Sequence, residues 1–97
     1  MAKYAPQWAQ KPDANQPEIV TALEKIGCIV LDLHRVGGGC PDILVWRNGK
    51  CCLLEIKFLK AKLNKLQREF HAVWTGCTFT VRSPEEAIAA VPTFTNG

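Results

Sequence analysis

The chain has 97 residues, a formal net charge of +3 and an apolar fraction of 47%. This length suits one domain with a single modest core, and the amino terminus lacks the pattern of a secretory signal. No apolar run approaches the roughly 20 residues that a membrane span requires. We therefore expect a soluble, cytoplasmic protein without a membrane partner.

Cysteine usage argues against both disulfides and structural zinc. The cysteines number five, no Cys-x-x-Cys spacing occurs, and the only histidines are His34 and His71. We expect most of the thiols to be small buried hydrophobes that stay reduced. A nucleophilic cysteine would need one of those histidines as its base, and no motif supports it.

The first third of the chain predicts an arm, a helix and a strand. Residues 1–15 show no periodicity, which indicates an arm that is mobile or packs on a partner. Residues 17–27 open with proline, repeat apolar side chains at helical spacing and end with glycine, a pattern typical of a capped helix. A short β-rich run at 28–33 leads to the glycines at 37–39, which serve either as a flexible connection or for close approach of a phosphate backbone.

A β-hairpin follows, and its register brings two acids together. Asn48-Gly49 between two apolar runs predicts a type I′ turn, because both residues tolerate positive φ. With these two as the loop, Asp42 falls opposite Glu55 in a non-hydrogen-bonded pair, with Cα atoms about 4.5 Å apart. Alternation puts Lys57 on the face of Glu55. A three-residue loop would shift this register.

Two carboxylates opposite each other destabilise a sheet unless something compensates their charge. A shared proton or a divalent cation would do so, and Mg²⁺ is commonly bound by one or two carboxylates together with water and phosphate oxygens. Lys57 offers partial compensation. The alternative is that Asp42 only starts a strand, while Glu55 and Lys57 are ordinary solvent-facing residues.

The last third predicts helix, strand and helix. Asn64 to Gln67 match a capping box, which gives Gln67 a structural explanation, and the helix is expected to end at Gly76. Its apolar stripe is predicted to be core and comprises Leu66, Phe70, Val73 and Trp74. Residues 77–82 form a strand, and a helix opens at Ser83-Pro84 and runs to Val91.

These elements predict an α/β fold in one domain at residues 16–91, followed by a tail at 92–97. The order is α-β-β-β-α-β-α, with a mixed sheet of about four strands flanked by helices. The last strand follows a crossover helix and is expected to lie parallel to one strand of the hairpin.

The ordered motifs resemble the VRR-NUC family of the PD-(D/E)XK nuclease superfamily. Members typically have G-x-P-D, then E-[VIL]-K, then a lysine-rich turn and a helix that opens with L-[ST]-x-x-Q. This chain has Gly39-Cys40-Pro41-Asp42, Glu55-Ile56-Lys57 and Leu63-Asn64-Lys65-Leu66-Gln67, with Asn64 in place of the usual serine or threonine. The match runs from about residue 27 to residue 91.

The resemblance implies a restriction-endonuclease-like sheet and a phosphodiesterase that uses Mg²⁺ or Mn²⁺. It implies that Asp42, Glu55 and the main-chain carbonyl of Ile56 bind the metal, that Lys57 is catalytic and that Gln67 borders the site. The family also places a glutamate of the first helix near the metal. Our candidates for that glutamate are Glu18 and, as second choice, Glu24.

A local positive patch follows the acidic pair. Residues 57–68 contain no acid, and their basic side chains are Lys57, Lys60, Lys62, Lys65 and Arg68. Contacts of this kind hold phosphates without reading bases. Arg35, beside the glycine turn, is a further candidate for a phosphate contact. The alternative is a solvated start of a helix.

Together these features predict a metal-dependent endonuclease. Because no base-reading motif appears, and because family members act on branched DNA, flaps or four-way junctions are the expected substrates. We also expect a homodimer, since symmetric dimers are the commonest assemblies. One alternative is a non-catalytic nucleic-acid-binding module that uses the basic residues of 57–68, and another is a protein whose hairpin or arm serves association.

Overall fold

The computed structural model describes residues 14–95, so residues 1–13 of the predicted arm and residues 96–97 of the predicted tail lie outside the described residues. The described part contains helices α1 (Gln16–Lys25), α2 (Lys65–Val73) and α3 (Pro84–Thr95), and strands β1 (Ile29–Asp32), β2 (Ile43–Arg47), β3 (Lys50–Ile56) and β4 (Thr78–Val81). The predicted mixed α/β fold and its element order are confirmed.

The strands form one sheet in the order β1-β2-β3-β4. β2 pairs antiparallel with both β1 and β3, and β4 pairs parallel with β3, as the crossover through α2 requires. At the hairpin turn, Asn48 and Gly49 have φ of +54° and +78°, so the predicted loop is confirmed. The register is confirmed with it, because Arg47 pairs with Lys50 and Ile43 pairs with Leu54.

The core lies between one face of the sheet and helices α1 and α3. The buried apolar side chains alternate along the central strands, and those from the helices lie at helical spacing. The largest fully buried apolar side chains are Ile19, Leu23, Ile43, Val45, Leu54, Ile56 and Val91. Packing of the sheet against α1 and α3 fixes the backbone of the hairpin. Because side chains alternate along β3, Glu55 points to the opposite face of the sheet.

The apolar stripe of α2 is not core, and this prediction was wrong. Leu66, Val73 and Trp74 are exposed, and Phe70 stacks on Trp74 with ring centroids 5.3 Å apart. The helix also ends at Val73, before the predicted Gly76. Helical spacing shows that a helix has an apolar face, but not whether the domain supplies a surface to cover it.

The last helix continues beyond its predicted end at Val91. It runs through Pro92 to Thr95, so residues 92–95 belong to α3 and not to a tail. Proline here removes one helical hydrogen bond. The threonine hydroxyls bond back into the helix, from Thr93 to the carbonyl of Ala90 and from Thr95 to that of Val91, while Phe94 packs on the core.

A disulfide joins Cys52 of β3 to Cys77, which precedes β4, with Cα atoms 4.8 Å apart. The expectation of reduced cysteines is therefore wrong for this pair. The parallel register pairs Leu53 with Thr78, and so brings the preceding residues side by side. Of the other cysteines, Cys28 is buried, Cys40 is half-buried and Cys51 is exposed.

Among the described helices, none is both long and apolar enough to cross a membrane.

Candidate active site

The open end of the hairpin holds the predicted acidic pair. The paired register of β2 and β3 ends at Ile43 and Leu54, and Asp42 and Glu55 each lie one residue beyond that pair. The Asp42 N–H donates to the carbonyl of Leu54 at 3.1 Å, and its carboxylate Oδ2 accepts the N–H of Ile56 at 2.7 Å. Asp42 therefore joins β2 to β3, and its carboxylate is held in a single orientation beside the end of β3.

Glu55 is buried on the face of the sheet opposite the core, with 1% of its surface exposed. Its Oε2 accepts a hydrogen bond from Gln67 Nε2 at 3.1 Å. Glutamate is almost never fully buried unless it is paired, because removing a carboxylate from water is unfavourable. The buried position of this acid makes Glu55 a candidate functional residue.

Gln67 serves the helix cap and Glu55 at once. Its backbone N–H donates to Asn64 Oδ1, and its Oε1 accepts the Asn64 N–H, both at 2.9 Å, which completes the predicted capping box. Its remaining amide group is the one that donates to Glu55. The structural and the site explanations for Gln67 are therefore compatible, since the cap orients the amide toward the acid.

The glycine turn contacts the first turn of α2. This contact was not among the uses expected for the glycines, a flexible connection or close approach of a phosphate backbone. All of its glycines have positive φ, from +66° to +84°. A Cβ on Gly39 would overlap the carbonyl of Leu66, whereas one on Gly38 would meet nothing within 4 Å. Gly39 thus lets the turn pack on the first turn of α2, next to Gln67.

A small cleft opens between the glycine turn and α2. It encloses about 30 Å³, enough for one water molecule or ion. Its walls include Asp42 and Gln67 together with His34, Cys40 and Asn64. Because Gln67 lines this cleft and also contacts Glu55, the two acids belong to one site.

Cys40 in this cleft is unsuited to nucleophilic attack. Burial raises the pKa of its thiol, and the negative charges of Glu55 and Asp42 raise it further. The thiol is therefore protonated at neutral pH, whereas a nucleophilic cysteine requires the thiolate. This effect on the pKa also indicates that both acids lie near Cys40.

His34 is held by an acid that the sequence analysis did not single out. Its Nδ1 lies 2.6 Å from Asp32 Oδ1, and its backbone N–H donates to the same oxygen at 2.9 Å. Burial alone would raise the pKa of Asp32, but hydrogen bonds from His34 and Gln16 and the charge of His34 lower it overall. The D-x-H spacing at the end of β1 could have predicted the pairing of Asp32 with His34. The hydrogen bond from Gln16 could not be predicted from the sequence.

Lys57 follows Glu55 at the end of β3 and is half-buried. Its N–H donates to the carbonyl of Val81 at 3.0 Å, and its carbonyl accepts from Asn15 Nδ2 at 3.2 Å. Asn15 also donates to the carbonyl of Arg82 at 3.0 Å, so it anchors the start of α1 although we assigned it to the arm. The backbone of Lys57 is thus fixed between two elements.

The donor set fits a cation that prefers oxygen. In the described residues there is no group of three or more His, Cys, Asp or Glu with metal-binding geometry. Two carboxylates suffice for Mg²⁺, which keeps several waters and takes phosphate oxygens as further ligands. Asp42, Glu55 and the carbonyl of Ile56 are the candidate ligands. Both candidate glutamates of α1, Glu18 and Glu24, lie exposed, and the proximity of either to the metal stays a prediction.

The remaining basic candidates lie at the surface. Lys60, Lys62 and Lys65 are exposed, as is Arg35 beside the glycine turn. Arg68 is also exposed, and its guanidinium donates to the carbonyl of Leu63 at 2.9 Å.

Comparisons with family models, with curated proteins and with solved structures give no match for this chain. The resemblance to VRR-NUC nucleases therefore depends on the motifs alone, and the assignment of a function depends on the chemistry of the site.

Proposed function

We propose that this protein is a metal-dependent endonuclease that hydrolyses phosphodiester bonds in branched DNA. The observation that carries the proposal is the pair of fixed carboxylates at the open end of the hairpin, with Asp42 held by the N–H of Ile56 and Glu55 held by Gln67. Two neighbouring carboxylates, one of them fully buried, are unfavourable for stability, and they are the donor set that a phosphodiesterase needs.

The site would work through a division of tasks. A divalent metal, when bound, supplies Lewis acidity and an activated water, which phosphodiester hydrolysis requires. Asp42 and Glu55 hold that metal, and Gln67 keeps the Glu55 carboxylate in orientation. The Lys57 ammonium orients the attacking water or stabilises the negative charge that develops on the phosphate.

The exposed basic side chains after Lys57 support DNA as the partner. Residues 57–68 contain no acid, so their field attracts a polyanion to the side of the cleft. Phosphate contacts fix position without reading sequence. Selectivity for flaps or junctions, and assembly as a homodimer, are parts of this proposal that follow from the resemblance and from symmetry.

The proposal is tested with purified protein and labelled linear, flap and four-way DNA in Mn²⁺ or EDTA. We expect product only with the metal, and at least a thousandfold less from Glu55→Gln, because this variant removes a ligand charge but keeps the shape of the side chain. Cys40→Ser serves as the control, since it alters the same cleft and should cleave within about threefold of the wild type.

Two other outcomes would reject the proposal. Salt-sensitive DNA binding that EDTA leaves unchanged, with no product after long incubation, would establish the non-catalytic binding module. Cleavage lost in Cys40→Ser but retained in Glu55→Gln would instead point to a cysteine-dependent reaction.

A further inference from the structure

The loop that joins β3 to α2 exposes apolar side chains among lysines. Phe58 is 47% exposed and Leu59 is 69% exposed. Lys57 precedes them, and Lys60 and Lys62 follow. Single exposed apolar residues are ordinary on protein surfaces. The conformation of this loop shows that its exposed pair is not incidental.

The loop is held in place by several hydrogen bonds. Nη1 of Arg82 donates to the carbonyls of Leu59 and Ala61, at 2.8 and 2.6 Å, and the Ala61 N–H donates to the carbonyl of Phe58 at 3.1 Å. Leu59 has a φ of +54°, a left-handed conformation that is unfavourable for a residue with a branched side chain. A mere connection needs neither an arginine clamp nor this strain.

Both ends of the loop are fixed at the candidate active site. At its start, the Lys57 backbone is bound to the carbonyl of Val81 and to Asn15. At its end, Asn64 caps α2 and lines the cleft together with Asp42. The exposed pair is therefore carried on a short, anchored segment next to the acids.

We propose that Phe58 and Leu59 form a wedge that stacks against an unpaired or unstacked base, while Lys60 and Lys62 hold the flanking phosphates. The inference rests on the proposed function and names the feature of the substrate that is recognised. Apolar side chains that insert at opened base steps, and aromatic side chains that stack on single-stranded bases, are established modes of binding.

Charge and shape favour DNA bases over a protein surface as the ligand. Lysines lie on both sides of the apolar pair. This arrangement matches a nucleic acid, which presents both phosphates and the flat apolar faces of its bases. An intact duplex keeps its base faces stacked inside, whereas a flap or junction exposes them. The wedge therefore accounts for selectivity toward branched DNA without any contact to base edges.

The test measures whether the loss of affinity caused by removing the wedge depends on the presence of one base in the DNA. Affinities for a flap substrate and for a duplex of equal length are measured by fluorescence anisotropy in EDTA, so that no cleavage occurs. The flap is used with a normal nucleotide or an abasic one at the branch point. The proteins are the wild type, Phe58→Ala, Leu59→Asn and Val73→Ala.

The variants are matched to separate stacking from general surface effects. Asparagine tolerates positive φ, so Leu59→Asn removes the apolar side chain but keeps the turn. Val73 is 77% exposed on α2, outside the loop, and Val73→Ala controls for loss of any exposed apolar group. Since Phe58 and Leu59 are not core residues, folding should survive in both wedge variants.

We expect Phe58→Ala to weaken flap binding about tenfold and duplex binding less than twofold. The abasic nucleotide should weaken the wild type and Val73→Ala about tenfold but have little further effect on Phe58→Ala. An equal loss with the abasic flap in the wild type and Phe58→Ala, or unchanged flap affinity of both wedge variants, would overturn the wedge.

Failure of the wedge and failure of the nuclease are distinguishable. Base-dependent binding without metal-dependent cleavage would keep the wedge and reject the nuclease. Cleavage that depends on Glu55, without coupling between Phe58 and the base at the branch point, would keep the nuclease and reject the wedge. A chain that binds none of these DNAs would reject both.

Discussion

Each end of the hairpin carries two like charges, basic at the turn and acidic at the open end, and the two ends differ in environment. At the turn, Asn48, Gly49 and Lys50 are exposed and Arg47 is half-buried. At the open end, Glu55 is buried and Asp42 is half-buried, and both carboxylates accept hydrogen bonds of fixed geometry. The difference shows that strand alternation sets which way a charge points, while neighbouring elements decide whether it is solvated.

The elements that close the open end are α2 and the glycine turn. Gln67 reaches Glu55 from the first turn of α2, and Gly39 lets the preceding turn pack against that same helix turn. At the other end of the hairpin, a Cβ on Gly27 would come within 3.9 Å of Arg47 Nε, and Lys50 is exposed. Asp42 therefore lines a cleft and Glu55 is buried behind Gln67, whereas Lys50 is a surface residue.

The largest expected effect comes from comparing lysines at the two ends. Lys57→Met should lower cleavage of branched DNA by a hundredfold or more, because under the proposed function it removes the cation that stabilises the developing negative charge or orients the attacking water. Lys50→Met, which changes the same residue type at the turn, should stay within about threefold. Steady-state cleavage rates in Mn²⁺ measure both, and equal losses would show that only general positive charge matters.

The next effect tests how the open end is closed. Gly39→Ala and Gly38→Ala both place alanine at positive φ, at about 1 kcal/mol of stability each. Only Gly39→Ala also creates overlap with the Leu66 carbonyl, for which we expect about 2 kcal/mol more. Urea unfolding measures both values, and equal destabilisation would mean that the turn does not need to approach α2.

A smaller effect separates the two tasks of Gln67. Both Gln67→Ala and Asn64→Ala break the capping box and should lower stability by about 1 kcal/mol. Only Gln67→Ala also removes the hydrogen bond to Glu55, so its cleavage rate should fall about tenfold further. If Gln67→Ala cleaves as fast as the wild type, then the role of Gln67 is confined to the cap.

The smallest effect concerns Asp32, which pairs with His34 in the wall of the cleft. Because its pKa is lowered on folding, its contribution to stability is present above its usual pKa and is lost as the pH falls through the lower folded value. The pair with His34 is partly exposed, so this contribution should stay below about 1 kcal/mol. Asp32→Asn should therefore lose less stability than the wild type between pH 6 and pH 3, as thermal unfolding would show, and identical profiles would contradict this.

Much of the fold was predictable because local signals agreed with one another. Asn48-Gly49 and strand alternation predicted the register, and the capping box at Asn64 marked the start of α2. The confirmed register ends one residue before Asp42 and Glu55, so the hairpin alone predicted that these two acids lie at the same end of the β2–β3 pair.

The remaining features depend on contacts that spacing does not reveal. Among residues 14–95, nothing buries Val73 and Trp74, and the pattern of α2 itself does not reveal this. The disulfide requires the parallel register of β3 and β4, and the contact between Gly39 and Leu66 joins two segments distant in the chain. Which glutamate of α1 approaches the metal stays a prediction, because helix rotation is not determined by sequence spacing alone.

The central claim is that Asp42 and Glu55 together bind a divalent metal ion. Titration calorimetry with Mn²⁺, without DNA, tests it most directly. We expect saturable binding to the wild type and at least a tenfold weaker affinity in Asp42→Asn and in Glu55→Gln, with Cys40→Ser unchanged. Equal Mn²⁺ affinity in the wild type and both acid variants, all of them folded, would contradict the account.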